Sequence, residues 1–169
     1  MKEEKIKKEF NFQFALGITL LIIIILIGII TFQASSKKSA KIQTSRDVAL
    51  TCTSDMATRY HIHPELKIII NGVSQIISAN IGIQPTCMTS IHTHDSSGVI
   101  HIEAPVQKDF VLGDFFTVWK KSFDKEHILD KTVDQNSTLT ITVNGNLVDT
   151  YENTVLHDKD QIIITYTKK

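Results

Sequence analysis

Neither charge is in excess in this 169-residue chain: 18 Lys and Arg balance 18 Asp and Glu. It has only two cysteines, Cys52 and Cys87, which leaves room for one disulfide at most. From Phe14 to Phe32 there is no charge at all (FALGITLLIIIILIGIITF). No cysteine directly follows that run to carry a lipid. Its nearest small-x-small site, Phe32-Gln33-Ala34, has Phe at the outer position. These absences argue against a cleaved signal peptide, whose apolar region is shorter and ends in small residues. The C-terminal part lacks a basic excess as well. Residues 47–169 carry ten Lys/Arg and fifteen Asp/Glu, a balance of −5. A nucleic-acid partner is therefore not expected.

The apolar run counts 19 residues. At 1.5 Å per residue a helix of that length covers roughly 28 Å, close to the hydrocarbon thickness of a bilayer. Its many isoleucines are mediocre helix formers in water, but in lipid the backbone must satisfy its own hydrogen bonds. The expected organisation is a polar tail over 1–13, a transmembrane helix over 14–32, a basic linker over 33–46 and a soluble domain over 47–169. Lysines flank both ends of the run, so the positive-inside rule does not decide orientation. A short tail before a long domain fits a single-pass anchor in the cell membrane with the domain extracytoplasmic. The linker's Lys37, Lys38, Lys41 and Arg46 can touch lipid headgroups.

Beyond a short helix or ordered lead-in over 47–60, strands dominate. His61–Asn71 is β-rich, and Asn71-Gly72 is a hairpin turn signal. Val73–Ile83 is the expected return strand, followed by short strands at Ile91–Thr93 and Val99–Glu103. Leu112, Phe115, Phe116, Trp119 and Phe123 share one face of an expected helix over 112–123, as core residues. Further strands are expected at Leu139–Val143, at Leu147–Val155 after a second turn at Asn144-Gly145, and at Gln161–Thr167. Asn136-Ser137-Thr138 matches a glycosylation acceptor, a tripeptide that often occurs by chance, and the plainer reading is a polar loop before the strand at Leu139. Two hairpins around one helix, then a last strand, give an α+β fold: a β-grasp-like mixed sheet with one amphipathic helix.

The histidines carry the chemistry. Five of the seven fall within 41 residues: His61, His63, His92, His94 and His101. In an extended chain residues i and i+2 share a face. His61 and His63, His92 and His94, and His101 and Glu103 are then three pairs able to converge on one pocket. Imidazoles bind copper or zinc, and a Cys87 thiolate would add softness. Glu103 or Asp95 can serve as a ligand or orient an imidazole from behind. Exposed or structurally hydrogen-bonded histidines are the plainer alternatives. Cys87 either pairs with Cys52 or joins a metal, with Met88 beside it as a weak axial ligand of a blue-copper type.

His92-Thr93-His94-Asp95 starts like the motif of metallo-β-lactamase-type enzymes, but Ser96 and Ser97 stand where the motif requires its Asp-His continuation. A small zinc hydrolase with Glu103 as general base is the enzymatic alternative. A non-metal interaction module, a subunit of a membrane complex, is another. The favoured reading is a metal-binding domain for metal handling or electron transfer, with no catalytic role assigned.

The string His61-Ile-His63, Asn71-Gly72, Ala79-Asn80-Ile81-Gly82-Ile83, Cys87, Ile91-His92-Thr93-His94-Asp95, Gly98-Val99-Ile100-His101-Ile102-Glu103 and Leu112-Gly113-Asp114-Phe115-Phe116 resembles an uncharacterised family of small secreted or membrane-anchored archaeal and bacterial domains. The resemblance covers about residues 60–167. It implies that this stretch is one unit and brings no established activity.

Overall fold

Both Asn-Gly pairs close hairpins. Asn71 and Gly72 have φ of 50° and 82°, and Asn144 and Gly145 have φ of 52° and 82°. Two consecutive positive φ values make the turn whose twist matches that of the flanking strands. The computed structural model describes residues 20–27, 43–55 and 58–169. The first turn joins β3 (Glu65–Ile70) to β4 (Val73–Gln75), and the second joins β11 (Ser137–Val143) to β12 (Asn146–Val148). The last strand, β13 (Gln161–Lys168), enters between the hairpins. The five-stranded order is β12-β11-β13-β3-β4, with β13 parallel to β3 and antiparallel to β11. Leu66, Ile68 and Ile70 of β3, Leu139 and Ile141 of β11, and Ile162, Ile164 and Tyr166 of β13 are buried at every second position. That is the period of a sheet with one face on a core.

The fold is α+β, mostly sheet with few helices among the described residues; its short strands include β5 (Ile83–Gln84), β9 (His127–Ile128) and β10 (Lys131–Thr132). Helix α1 (Ser45–Leu50) starts with a capping box: the Asp47 amide donates to Thr44 Oγ1, and the Thr44 amide donates to Asp47 Oδ2, both at 3.0 Å. Arg46 then donates from Nε to Oδ1 of the buried Asp114 at 3.0 Å. Ser45 and Arg46, expected in the linker, thus belong to the folded unit, which runs over 43–169. Helix α2 (Leu112–Trp119) is shorter than expected. Lys120 takes φ 59° and ψ 39°, and its amide donates to the carbonyls of Phe116 and Thr117. This left-handed residue satisfies the last carbonyls and ends the helix. Phe123 still reaches the core by folding back, its ring stacked 4.4 Å from Phe116.

The expected return strand over 73–83 stops at Gln75. Beyond it Ile77 and Ile81 turn into the core. The expected strand over 147–155 is likewise cut short, to β12 and a 3-10 turn at Tyr151–Asn153. Of the anchor expected over 14–32, residues 20–27 are helical and their eight Leu and Ile side chains are all exposed. The rest of it, the 1–13 tail and most of the linker lie outside the described residues. Among the described residues no helix is long and apolar enough to cross a membrane.

Candidate metal centre

A separate three-stranded antiparallel sheet carries the site, in the order β2 (Tyr60–Ile62), β8 (His101–Ala104), β7 (Ile91–His92). Its register sets Ile62 and Ile91 on either side of Ile102, and all three are buried in the core. The same register sets His61 against Glu103 and His92 against His101. Because side chains alternate across a strand, the isoleucines take one face and the histidines with Glu103 take the other. His63 follows β2, and His94 follows β7.

The five imidazoles cluster as two triads that share His101, with His61 at 6.3 Å and His92 at 5.5 Å from it. Ring centroids are 4.4 Å apart for His61–His63, 4.7 Å for His63–His101, 4.6 Å for His101–His94 and 4.8 Å for His94–His92. His92, His94, His101 and Glu103 form one group of donors able to hold a metal ion, and His61, His63 and His101 form another. In each group the donor atoms lie within 4.8 Å of one another. Glu103 Oε1 stands 3.2 Å from His61 Nε2 and 4.0 Å from His101 Nδ1.

His92 is buried, and its Nδ1 lies 3.0 Å from the carbonyl oxygen of Thr89. A carbonyl only accepts, so Nδ1 carries the proton and the neutral ring keeps its Nε2 lone pair. That Nε2 lies 3.2 Å from Nε2 of His94. Two nitrogens on one tetrahedral ion, each bonded at about 2.05 Å, stand about 3.3 Å apart. Where the two triads meet, His101 Nδ1 is buried with no hydrogen-bond partner. Burial holds the His92 imidazolium unfavourable and its pKa low, against the carbonyl of Thr89 and the charge of Glu103. His101 is lowered too, by burial first and then by His94, His63 and His92. Both rings are therefore held neutral, the form that binds a metal.

The strand β7 ends at His92, so extended pairing alone does not bring His94 alongside. The buried Thr93 between them does. Its hydroxyl donates to Ser78 O at 2.8 Å and accepts from the Ile81 amide at 3.1 Å, while its own amide donates to Ile81 O at 3.0 Å. Gly98 then lets the chain return to β8. Its φ is +92°, and a Cβ there would run into the carbonyl oxygen of Leu66.

Two expected site residues stand elsewhere. Cys87 is bonded to Cys52, so its sulfur is no thiolate donor. A blue-copper set of two His, Cys87 and Met88 is thereby excluded. Strand β1 (Cys52–Thr53) pairs with β6 (Cys87–Thr89), which brings the two cysteines together across 35 residues of sequence. Asp95 closes its own turn, accepting the Ser97 amide at 2.9 Å. Its pKa is lowered by the Ser97 hydroxyl and amide before any histidine. Asp95 is thus held first by its own turn, with His101 and His94 acting on it through their charge.

Asp158, outside the expected set, joins the site behind His63. Its Oδ1 accepts the His63 amide at 2.9 Å and lies 3.8 Å from His63 Nδ1, across 95 residues of sequence. Only its position in the turn before β13 hinted at any role. The remaining histidines pair with local carboxylates, His127 with Asp124 and His157 with Asp160. Comparison with family models, curated proteins and solved structures gives no match.

Proposed function

We propose that this protein is a membrane-anchored, extracytoplasmic metal-binding domain. Its ion would be a first-row transition metal, copper or zinc. One observation carries the reading: Nε2 of His92, deprotonated because Nδ1 donates to Thr89, faces Nε2 of His94 at 3.2 Å. His101 and Glu103 complete that set. With Cys87 in a disulfide the donors are all imidazole and carboxylate, which favours zinc or copper(II) over copper(I). The disulfide also supports an oxidising compartment outside the cytoplasm. Eight consecutive exposed Leu and Ile residues on a helix apolar all round support the anchor. The five-stranded order, with the last strand parallel to the first and flanked by two hairpins, supports a β-grasp-like sheet. A partner in the same membrane would receive the ion or its electron.

The test is the metal content of the full chain in detergent, by elemental analysis, beside the His94→Ala variant. About one equivalent or more of copper or zinc, reduced in the variant, is the expected result. No metal after reconstitution with either ion would sink the reading.

A further inference from the structure

We infer that the histidine face holds two metal ions side by side, with His101 and Glu103 between them. This rests on the metal-binding reading of the same site and goes further. One tetrahedral ion takes four ligands, and the face offers five imidazoles and a carboxylate. Those donors do not gather around one point. They form two groups, one with His92 and His94 and the other with His61 and His63, and only His101 belongs to both. His101 stands where the two groups meet, its ring 4.7 Å from His63 of one and 4.6 Å from His94 of the other.

His101, which both groups share, and Glu103, which also lies against His61, are the residues able to face two ions. A carboxylate has two oxygens, and an imidazole offers a second nitrogen once its remaining ring proton is released to solvent as the metal binds. His101 Nδ1 is buried and unpartnered, which in a native interior calls for a missing partner. Glu103 Oε1 stands between His61 Nε2 at 3.2 Å and His101 Nδ1 at 4.0 Å. Each half also has its own anchor from behind. The Thr89 carbonyl holds His92, and Asp158 holds the backbone amide of His63 with its carboxylate beside that ring. Such outer partners orient ligating imidazoles.

The two positions differ in exposure. His92 is buried, whereas the side chains of His61 and His63 are 45% and 40% exposed. The inner position is therefore the tight one. The outer position faces solvent and exchanges its ion more readily. Both take a borderline divalent cation such as zinc or copper(II).

The experiment strips the full chain in detergent with chelator, titrates it with Zn²⁺, and measures bound metal after gel filtration. Cu²⁺ loading read by electron paramagnetic resonance reports whether two ions are coupled. Wild type is expected to hold two equivalents and to show a coupled copper pair. A double variant, His61→Ala with His63→Ala, is expected to keep one equivalent and lose the coupling, with its circular dichroism unchanged. Two variants keep this test independent of folding, since His63→Gln alone should also weaken only the outer ion. One equivalent in wild type, whatever the double variant does, overturns the two-ion proposal and leaves the metal-binding reading standing. Two equivalents unaffected by the double variant overturn it as well, because the second ion then sits elsewhere. No metal at all removes both readings together.

Discussion

Nε2 of His92 and Nε2 of His94 stand 3.2 Å apart, one ring buried and the other exposed. Their roles in stability and in binding therefore separate. In chelator, His92→Ala should cost about 2–3 kcal/mol, since it leaves a cavity and an unpaired Thr89 carbonyl. His94→Ala should stay within about 0.5 kcal/mol of wild type, as exposed substitutions do. Both should lose metal. Urea unfolding with and without Zn²⁺ reads the difference, and equal costs in chelator would contradict it.

Replacing Cys52 and Cys87 by Ser should destabilise the folded unit by about 3–4 kcal/mol, the loop-entropy value for a closure of this length. Metal stoichiometry should be unchanged. Loss of metal from a variant that still folds would return Cys87 to the ligand set. Thiol titration of the unfolded, unreduced wild type should find no free cysteine.

The folded unit should need residues before 47. A fragment 47–169 lacks the Thr44 cap and the Arg46 partner of Asp114, so it should be less stable than 43–169 by about 2 kcal/mol. Differential scanning calorimetry of the two fragments checks this. Equal melting temperatures would mean that the cap and the ion pair contribute nothing.

Metal-free stability should fall on acidification below the ordinary histidine pKa. His92 and His101 have folded pKa values lowered from 6.5, chiefly by burial. In the window between 6.5 and those lowered values the unfolded chain binds more protons than the folded one. Stability then rises with pH across the window and is fully present above it. Tm in chelator from pH 8 to pH 5 reads the slope, with imidazole resonances assigning it. A flat profile, or His92 titrating at its ordinary value, would refute the burial argument.

Asp158→Ala should weaken the ion at His61 and His63 by about 10-fold or more, as loss of an outer partner typically does. The ion at His92 and His94 should be affected far less. Competitive titration with a zinc dye distinguishes this from a uniform loss.

Much of the fold is legible in local chemistry. Both Asn-Gly turns, the alternation of β3, β11 and β13, and the aromatic face of α2 follow from short-range sterics and from the period of apolar residues. Element ends are less legible. The end of α2 rests on a left-handed Lys120, and the start of the folded unit rests on Arg46 meeting Asp114 from 68 residues away. The Thr44-x-x-Asp47 spacing around Arg46 marks a helix start locally, but its partner Asp114 does not follow from it.

The site divides in the same way. The i, i+2 spacing by itself puts His61 with His63 and His101 with Glu103 on common faces, because a strand alternates its side chains. The composition alone sets the donor types at imidazole, carboxylate, two cysteine sulfurs and three methionine thioethers. Only the tertiary structure places β2, β8 and β7 in register, takes Cys87 away into a disulfide and brings Asp158 behind His63. The physical reason is range. Alternation is a property of the chain within a few residues, whereas register, sulfur pairing and outer partners are contacts between segments tens of residues apart, decided by how the isoleucine faces pack.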